Sequence, residues 1–341
     1  MSEESERILD GAIAPARNTK LFGHEDAERF LAQSYRSGKG HHAILIEGPE
    51  GIGKATLAYR FANHILTHPE PENAPDHISD PDPDSPVSRQ LASGASHNLL
   101  HLERPYDEKS GRFKTAITVD EVRRAGKFFA QTSGSGNWRI IILDPADDLN
   151  RSAANAILKI LEEPPKRALF LVLSHAPGKL LPTIRSRCLS LRLSPLDDMA
   201  LQKALDHLQV RVEPGATGGL LAAAKGSVSE ALKLLNYGGG DIISAYQDVL
   251  AQKGPAARQA MHRLADALSQ KGADTIYTFF TAHIGAELME RARHAAHSGD
   301  LAAAERYATL TSAVNEQLTV ADAYNLDRKQ TIISVLEAIS Q

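Results

Sequence analysis

Gly48, Gly51, Gly53 and Lys54 are where the chemistry of this chain is easiest to read. They lie in Gly48-Pro-Glu-Gly-Ile-Gly-Lys54-Ala-Thr56, after the apolar run Ala43 to Ile46 and before a helical pattern from Leu57 to Leu66. A buried strand, a glycine loop and a helix in that order form the context in which such a loop holds phosphate. The glycines let backbone N–H groups turn toward an anion at the helix N-terminus, and the lysine reaches the terminal phosphates. The residue after the lysine should be Ser or Thr, whose hydroxyl holds Mg²⁺; here it is Ala55. Thr56 lies one residue on, about 100° further round a helix, so it does not simply substitute. Gly48, Pro49, Gly51, Gly53, Lys54, Ala55 and Thr56 therefore read as a degenerate site for ATP or ADP, with little support for Mg²⁺ and poor equipment for hydrolysis. The plainer reading of Lys54 is a helix-capping lysine beside a loop that binds nothing.

Asp144 is the second candidate. It ends Trp138-Arg-Ile-Ile-Ile-Leu-Asp144, the clearest strand pattern in the chain. A carboxylate at such a strand end is where nucleotide hydrolases place a group directed at Mg²⁺. The following residue would be a glutamate that activates water, and Pro145 stands there instead. The plainer reading of Asp144, a cap for the next turn, outweighs that of a metal ligand.

The elements that must position these residues alternate. A helix is expected over Glu25–Ser37, strands over Ala43–Ile46, Asn98–Glu103, Trp138–Asp144, Ala168–Ser174 and Leu189–Leu193, and helices between them, including one opened by a capping box at Thr118 and Glu121. Glu162-Glu-Pro-Pro165 ends the helix begun at Ser152. Residues 67–96, rich in Pro, Asp, Ser and His, read as a long surface insertion, and Ser133 to Asn137 as a turn. The fold class is α/β, an open sheet of largely parallel strands over residues 1–195. A small helical module follows at 196–238, with helices at Met199–Leu208, Gly219–Ala224 and Ser227–Leu235. Gly238-Gly-Gly240 reads as a linker. Residues 241–341 read as an all-α domain with helices at 242–252, 256–268, 275–297, 301–318 and 327–339.

Composition sets the outer bounds. The 341 residues leave room for two or three domains. A net charge of −4 argues against a surface built mainly to coat nucleic acid, and so disfavours a DNA-binding adaptor. One cysteine, Cys188, excludes an internal disulfide framework and a Cys₄ zinc site; it reads as a buried small hydrophobe. His41-His42 read as a strand-entry loop, and His64, His68 and His77 lack the spacing of a metal cluster. There is no apolar run of 18 residues and no signal-peptide pattern, which points to a cytoplasmic protein without membrane contact.

The loop, Asp144, Asn155-Ala-Ile-Leu-Lys-Ile-Leu-Glu-Glu-Pro-Pro165 and Ile184-Arg-Ser-Arg-Cys188 stand in the order found in AAA+ clamp-loader subunits, and the chain resembles that family over nearly its whole length. The resemblance implies an AAA+ P-loop domain, a helical lid and an all-α collar for oligomerisation. It implies partners too: motor and delta-type subunits in a hetero-oligomeric ring, with the sliding clamp and primed DNA reached through the complex. Gly226-Ser-Val-Ser229-Glu-Ala-Leu232 matches the lid's sensor segment, with Ser229 where motor subunits have arginine. Three groups that act on the γ-phosphate are thus missing. Arg187 matches the arginine finger such subunits present to a neighbour's ATP, where a guanidinium supplied in trans offsets charge building on the phosphate oxygens. The alternative is an arginine capping the short helix through a carbonyl or a carboxylate, and Arg185 reads as a sheet-edge or interface residue. The expected function is that of a non-hydrolysing clamp-loader subunit acting through Arg187. The rival is an ATPase in its own right, with Thr56 or water completing the metal shell.

Overall fold

The computed structural model describes residues 9–107, 112–130, 137–210, 221, 224–236, 238–270 and 272–340. The chain divides into two compact units, Met1–Glu230 and Ala231–Gln341. The segment expected as a separate lid, 196–238, is therefore split by that boundary.

The first unit is built on a five-stranded sheet. Its strands are β1 (Ala43–Glu47), β2 (Leu99–Leu102), β5 (Arg139–Leu143), β6 (Ala168–Ser174) and β7 (Leu189–Arg192), in the order β2-β5-β6-β1-β7. All neighbours are parallel, with Ala43 opposite Phe170, Ile44 opposite Leu189, Leu99 opposite Ile140 and Arg139 opposite Ala168. Parallel strands need crossovers, and the helices that supply them cover both faces of the sheet. That explains why β6 is buried at every residue rather than at alternate ones. Ile44, Ile46, Ile140, Ile142, Leu169, Leu171 and Leu173 point to one core, shared with α1 (Glu25–Arg36) and α2 (Lys54–Thr67). The alternating set Ala43, Leu45, Ile141, Leu143, Phe170 and Val172 points to the other, shared with α4 (Val119–Ala130), α5 (Arg151–Glu162) and α6 (Pro182–Arg185). A two-residue hairpin of β3 (Tyr106–Asp107) and β4 (Arg112–Phe113) stands apart from the sheet.

Residues 67–96, expected as a surface loop, carry α3 (Pro86–Ala92) and place Ala74, Ile78 and Leu91 in the core. The local cause is a cap: Ser85 accepts a hydrogen bond from the Ser88 amide, and Pro86 takes the first helical position. The tertiary cause is Arg60, only 4% exposed. Its guanidinium donates to Glu28 Oε1 at 2.6 Å, to Asp80 Oδ1 at 3.0 Å and to the Thr19 carbonyl. Asp80 in turn meets Lys20. One buried cation thus fastens the insertion, α1 and the segment before α1 to α2. Burial still dominates at Glu28 and raises its carboxyl above the usual range, against the pull of Arg60.

Beyond the sheet the first unit contains α7 (Asp198–His207), capped by Asp197 on the Ala200 amide. The helix α8 (Val228–Asn236) follows, and the boundary between the units falls within it. The helix expected at Gly219–Ala224 lies almost wholly outside the described residues, as does most of the Ser133–Asn137 turn.

The second unit contains α9 (Gly239–Ala251), α10 (Gly254–Ser269), α11 (Asp274–His297), α12 (Leu301–Tyr324) and α13 (Arg328–Ser340). Gly238, expected as part of a linker, instead sits at φ +66° as the N-cap of α9, and Gly239 and Gly240 form its first turn. α12 runs on past Leu318 to a left-handed Asn325. The core brings together Tyr246, Leu264, Phe280, Ile284, Val314 and Leu336. No helix among the described residues is long and apolar enough to cross a membrane.

Candidate functional site

The glycine loop joins β1 to α2 at the carboxyl edge of the sheet. Gly51 at φ +75° and Gly53 at φ +103° occupy left-handed backbone that a side chain would strain. Gly53 is the N-cap of α2, which has no side-chain cap and no acidic residue in its first turn. The first turn of this 14-residue helix therefore supplies no counter-charge of its own, the setting in which a helix end receives an anion.

Lys54, which would reach the phosphates, turns back on its own loop. Its Nζ donates to the Gly48 carbonyl at 2.7 Å and to the Pro49 carbonyl at 2.5 Å, and the residue is 4% exposed. Burial lowers its pKa to about 8, against the opposing pull of Asp144, Glu50 and Asp147. Thr56 is buried in α2 and Ala55 packs against the core, so the first turn of the helix supplies no hydroxyl at the expected metal position. His24, the N-cap of α1, is 6% exposed, and its Nε2–H donates to the Ile52 carbonyl at 2.8 Å. Burial lowers its pKa, which agrees with a neutral ring.

Asp144 lies at the end of β5, with its amide donating to the Leu102 carbonyl at 2.9 Å. Burial pushes its carboxyl above the usual range, against the pull of the His101, His175 and Lys54 side chains. The wired carboxylate is a residue the sequence reading passed over, Asp147. It sits on the single turn Ala146–Asp148 and accepts from Ser174 Oγ at 2.8 Å and from the His175 amide at 2.6 Å. It thereby ties the turn after β5 to the end of β6. The acidic pair Asp147-Asp148, a few residues past a buried strand, was the available signal. His175 has a buried Nδ1 without a hydrogen-bond partner among the described residues, and burial lowers its pKa.

Ser229, at the position read as a lost arginine, is brought against the loop: a methyl group placed on Gly51 would lie 2.6 Å from Ser229 Cβ. Ser227, also passed over, donates from Oγ to the Glu50 carbonyl at 2.9 Å. Gly48, Pro49, Gly51, Gly53, Lys54, Asp144 and Ser229 are thus gathered at one sheet edge.

Arg187 follows α6 and takes part in none of these contacts. Its Nη1 donates to the Thr183 carbonyl at 2.9 Å and its Nη2 to Glu162 Oε1 at 2.5 Å, with the side chain about one-third exposed. Both partners named for the helix-capping alternative are present. Burial raises the pKa of Cys188 to about 11, so its thiol stays protonated at neutral pH. His41 and His42 stack at 4.6 Å and bond to the carbonyls of Ala43 and Leu161, as a strand-entry loop would. Among the described residues no group of three His, Cys, Asp or Glu is arranged to hold a metal ion.

The donor set fits the phosphate half of a nucleotide better than its metal half. The glycines and the uncapped helix end suit phosphate, while Ala55 and Pro145 supply neither the hydroxyl nor the carboxylate that Mg²⁺ and an attacking water need.

Residues 23–197 match the family model described as DNA polymerase III, delta subunit. Among curated relatives, the DNA polymerase III subunit delta' of Pseudomonas aeruginosa is 36% identical over 199 residues, covering 58% of this chain and 56% of that protein. Subunit delta' of Escherichia coli is 30% identical over 210 residues, covering 61% and 58%. Subunit tau of Bacillus subtilis is 27% identical over 274 residues, covering 78% and 46%. The chain thus spans about half the length of the curated relatives it matches.

Proposed function

This chain belongs to the DNA polymerase III, delta subunit family, and from that membership we propose that it is a delta-prime-type clamp-loader subunit that does not hydrolyse ATP itself. In this role it completes a ring of motor and delta-type subunits that loads the sliding clamp onto primed DNA. The all-α residues 241–341 serve as the collar and 196–238 as the lid, in a cytoplasmic assembly. The observation that carries the non-hydrolysing part is the state of Lys54: its ammonium is spent on loop carbonyls, beside an alanine where the Mg²⁺ hydroxyl would stand.

When bound, a nucleotide would bring the polyphosphate charge that the loop's amides and the N-terminus of α2 can hold, with Lys54 as the phosphate-reaching cation. Pro145 stands where a water-activating glutamate would, so this site lacks the group that orients a water for attack. The catalytic contribution is made elsewhere, by Arg187. Leaving Glu162 and the Thr183 carbonyl, its guanidinium would reach the γ-phosphate on an adjacent motor subunit and stabilise charge on the transferred group. Arg187 is suited to this because it is partly exposed, and an exposed ion pair costs little to exchange for another anion.

Turnover by the isolated chain, measured as phosphate release with and without Mg²⁺, tests the reading. No turnover above background is expected. Mg²⁺-dependent hydrolysis abolished by Lys54→Ala would establish a working ATPase instead.

A further inference from the structure

The amino edge of the sheet, at the other end of β1 from the glycine loop, holds a cavity of about 220 Å³. Its walls include Tyr35, Ile44, Phe61, Ile65 and Leu169, each 5% exposed or less, with Trp138 beside them. All six belong to, or pack against, the core shared with α1 and α2. Native interiors hold few voids larger than a water molecule, so a space of this size among core side chains stands out.

The polar atoms of these rings are already committed. Tyr35 Oη donates to the His68 carbonyl at 2.7 Å, and Trp138 Nε1 to the Pro69 carbonyl at 3.0 Å. At the rim, His42 Nε2 bonds to the Leu161 carbonyl at 2.9 Å, and Arg167 Nη2 lies 2.9 Å from both carboxylate oxygens of Glu70. The walls therefore present ring and aliphatic carbon, and a charged guest would lose its hydration without gaining a counter-charge. The rings also meet edge to face. Tyr35 stands at 86° to Phe61 and at 70° to Trp138, with centroids 6.4 and 5.4 Å apart. One more ring can continue that pattern, and an aliphatic molecule of equal size cannot. An apolar cavity of about 150 Å³ stays dry and takes up benzene. We propose that this cavity is a binding site for a small, uncharged aromatic molecule of one or two fused rings. The site is separate from the glycine loop and holds whether or not that loop takes nucleotide.

Fluorine NMR of fluorobenzene titrated with the full chain tests it. Saturable binding is expected, with a dissociation constant of about 1 mM or tighter for so small a ligand. Trp138 is the only tryptophan in the chain, so its single indole N–H resonance should move along the same saturation curve. Ser34→Leu from α1 and Leu169→Phe from β6 fill the cavity by different routes. Each should weaken binding by about tenfold or more while the variant still melts cooperatively, and either alone decides the point should the other not fold. Two matched ligands read the preference: 4-fluorobenzylammonium should bind about tenfold more weakly and fluorocyclohexane about threefold. No saturable binding of fluorobenzene, an unmoved tryptophan signal or undiminished binding by the filled variants would overturn the site. Equal affinity for the ammonium or for fluorocyclohexane would overturn the ligand class assigned to it.

Discussion

Lys54 and Arg187 carry the same charge, and the chain holds them by opposite means. Lys54 is 4% exposed, its ammonium donating to two neutral carbonyls of its own loop. Arg187 is about one-third exposed and rests on one carbonyl and one carboxylate at the surface. Hydrogen bonds to carbonyls satisfy donors without neutralising charge, so the buried lysine keeps a desolvation cost that lowers its pKa to about 8. The guanidinium is paired, wetted and releasable. One cation is held inside its own loop, and the other, on the proposed function, is the one offered to a neighbour.

The sharpest way to break that contrast is Arg187→Ala in a reconstituted clamp loader. The DNA-stimulated ATPase of the whole assembly should fall at least tenfold, below the roughly 10³–10⁵ of the strongest known fingers. Assembly by gel filtration and the melting temperature of the lone chain should stay as they were. Unchanged ATPase and clamp loading would reduce Arg187 to a helix cap.

The buried state of Lys54 makes a pH prediction of fixed sign. Its folded pKa of about 8 lies below the usual 10.5, so the unfolded chain binds the extra proton between those values. Stability contributed by this group therefore rises as pH climbs from about 8 to 10.5, by an amount on the order of 3 kcal/mol. Urea denaturation of the wild type and of Lys54→Met should diverge over that window, with the wild type gaining. Parallel profiles would mean that the ammonium is not desolvated.

Gly51→Ala should cost about 1–3 kcal/mol of stability, because φ +75° and the hydroxyls of Ser227 and Ser229 both oppose a methyl group. Thermal unfolding would read it, and a loss within error would show that the loop and the turn before α8 are less tightly joined than described. The smallest effect is expected at Glu162→Gln. Its exposed pair with Arg187 should be worth no more than about 1 kcal/mol, and freeing the arginine should leave the assembly's ATPase equal or slightly raised. A large drop in ATPase would mean that Glu162 positions Arg187 rather than parking it.

Much of the sheet could be read from the sequence because buried parallel strands announce themselves as short apolar runs. Ala168–Ser174 is found at the expected bounds, and the other sheet strands differ by a residue or so. The glycine loop was legible for the same local reason. What escaped was set by distant partners. Ser227 meets Glu50 across 177 positions, Asp147 meets the Ser174 hydroxyl across 27, and Arg60 meets the Thr19 carbonyl across 41. No periodicity encodes such pairs. The helix Pro86–Ala92 was hidden by its surroundings: a Pro- and Asp-rich composition concealed a serine cap and about two helical turns that pack Leu91 into the core. Arg187 was found from its motif, but its resting partners Glu162 and Thr183 came only from the fold.

The Arg60 cluster decides where this chain can be cut. A fragment beginning at α1 would lose the Thr19 carbonyl, and one lacking 67–96 would lose Asp80, in either case exposing a buried guanidinium to an incomplete set of acceptors. Leaving a buried donor without its acceptor typically costs about 1–3 kcal/mol, more for a charged group, a sizeable fraction of a domain's whole stability. The minimal folding unit of the sheet domain therefore extends upstream of its first helix and keeps its insertion, and limited proteolysis of the native protein should spare the Asp80 turn despite its loop-like composition.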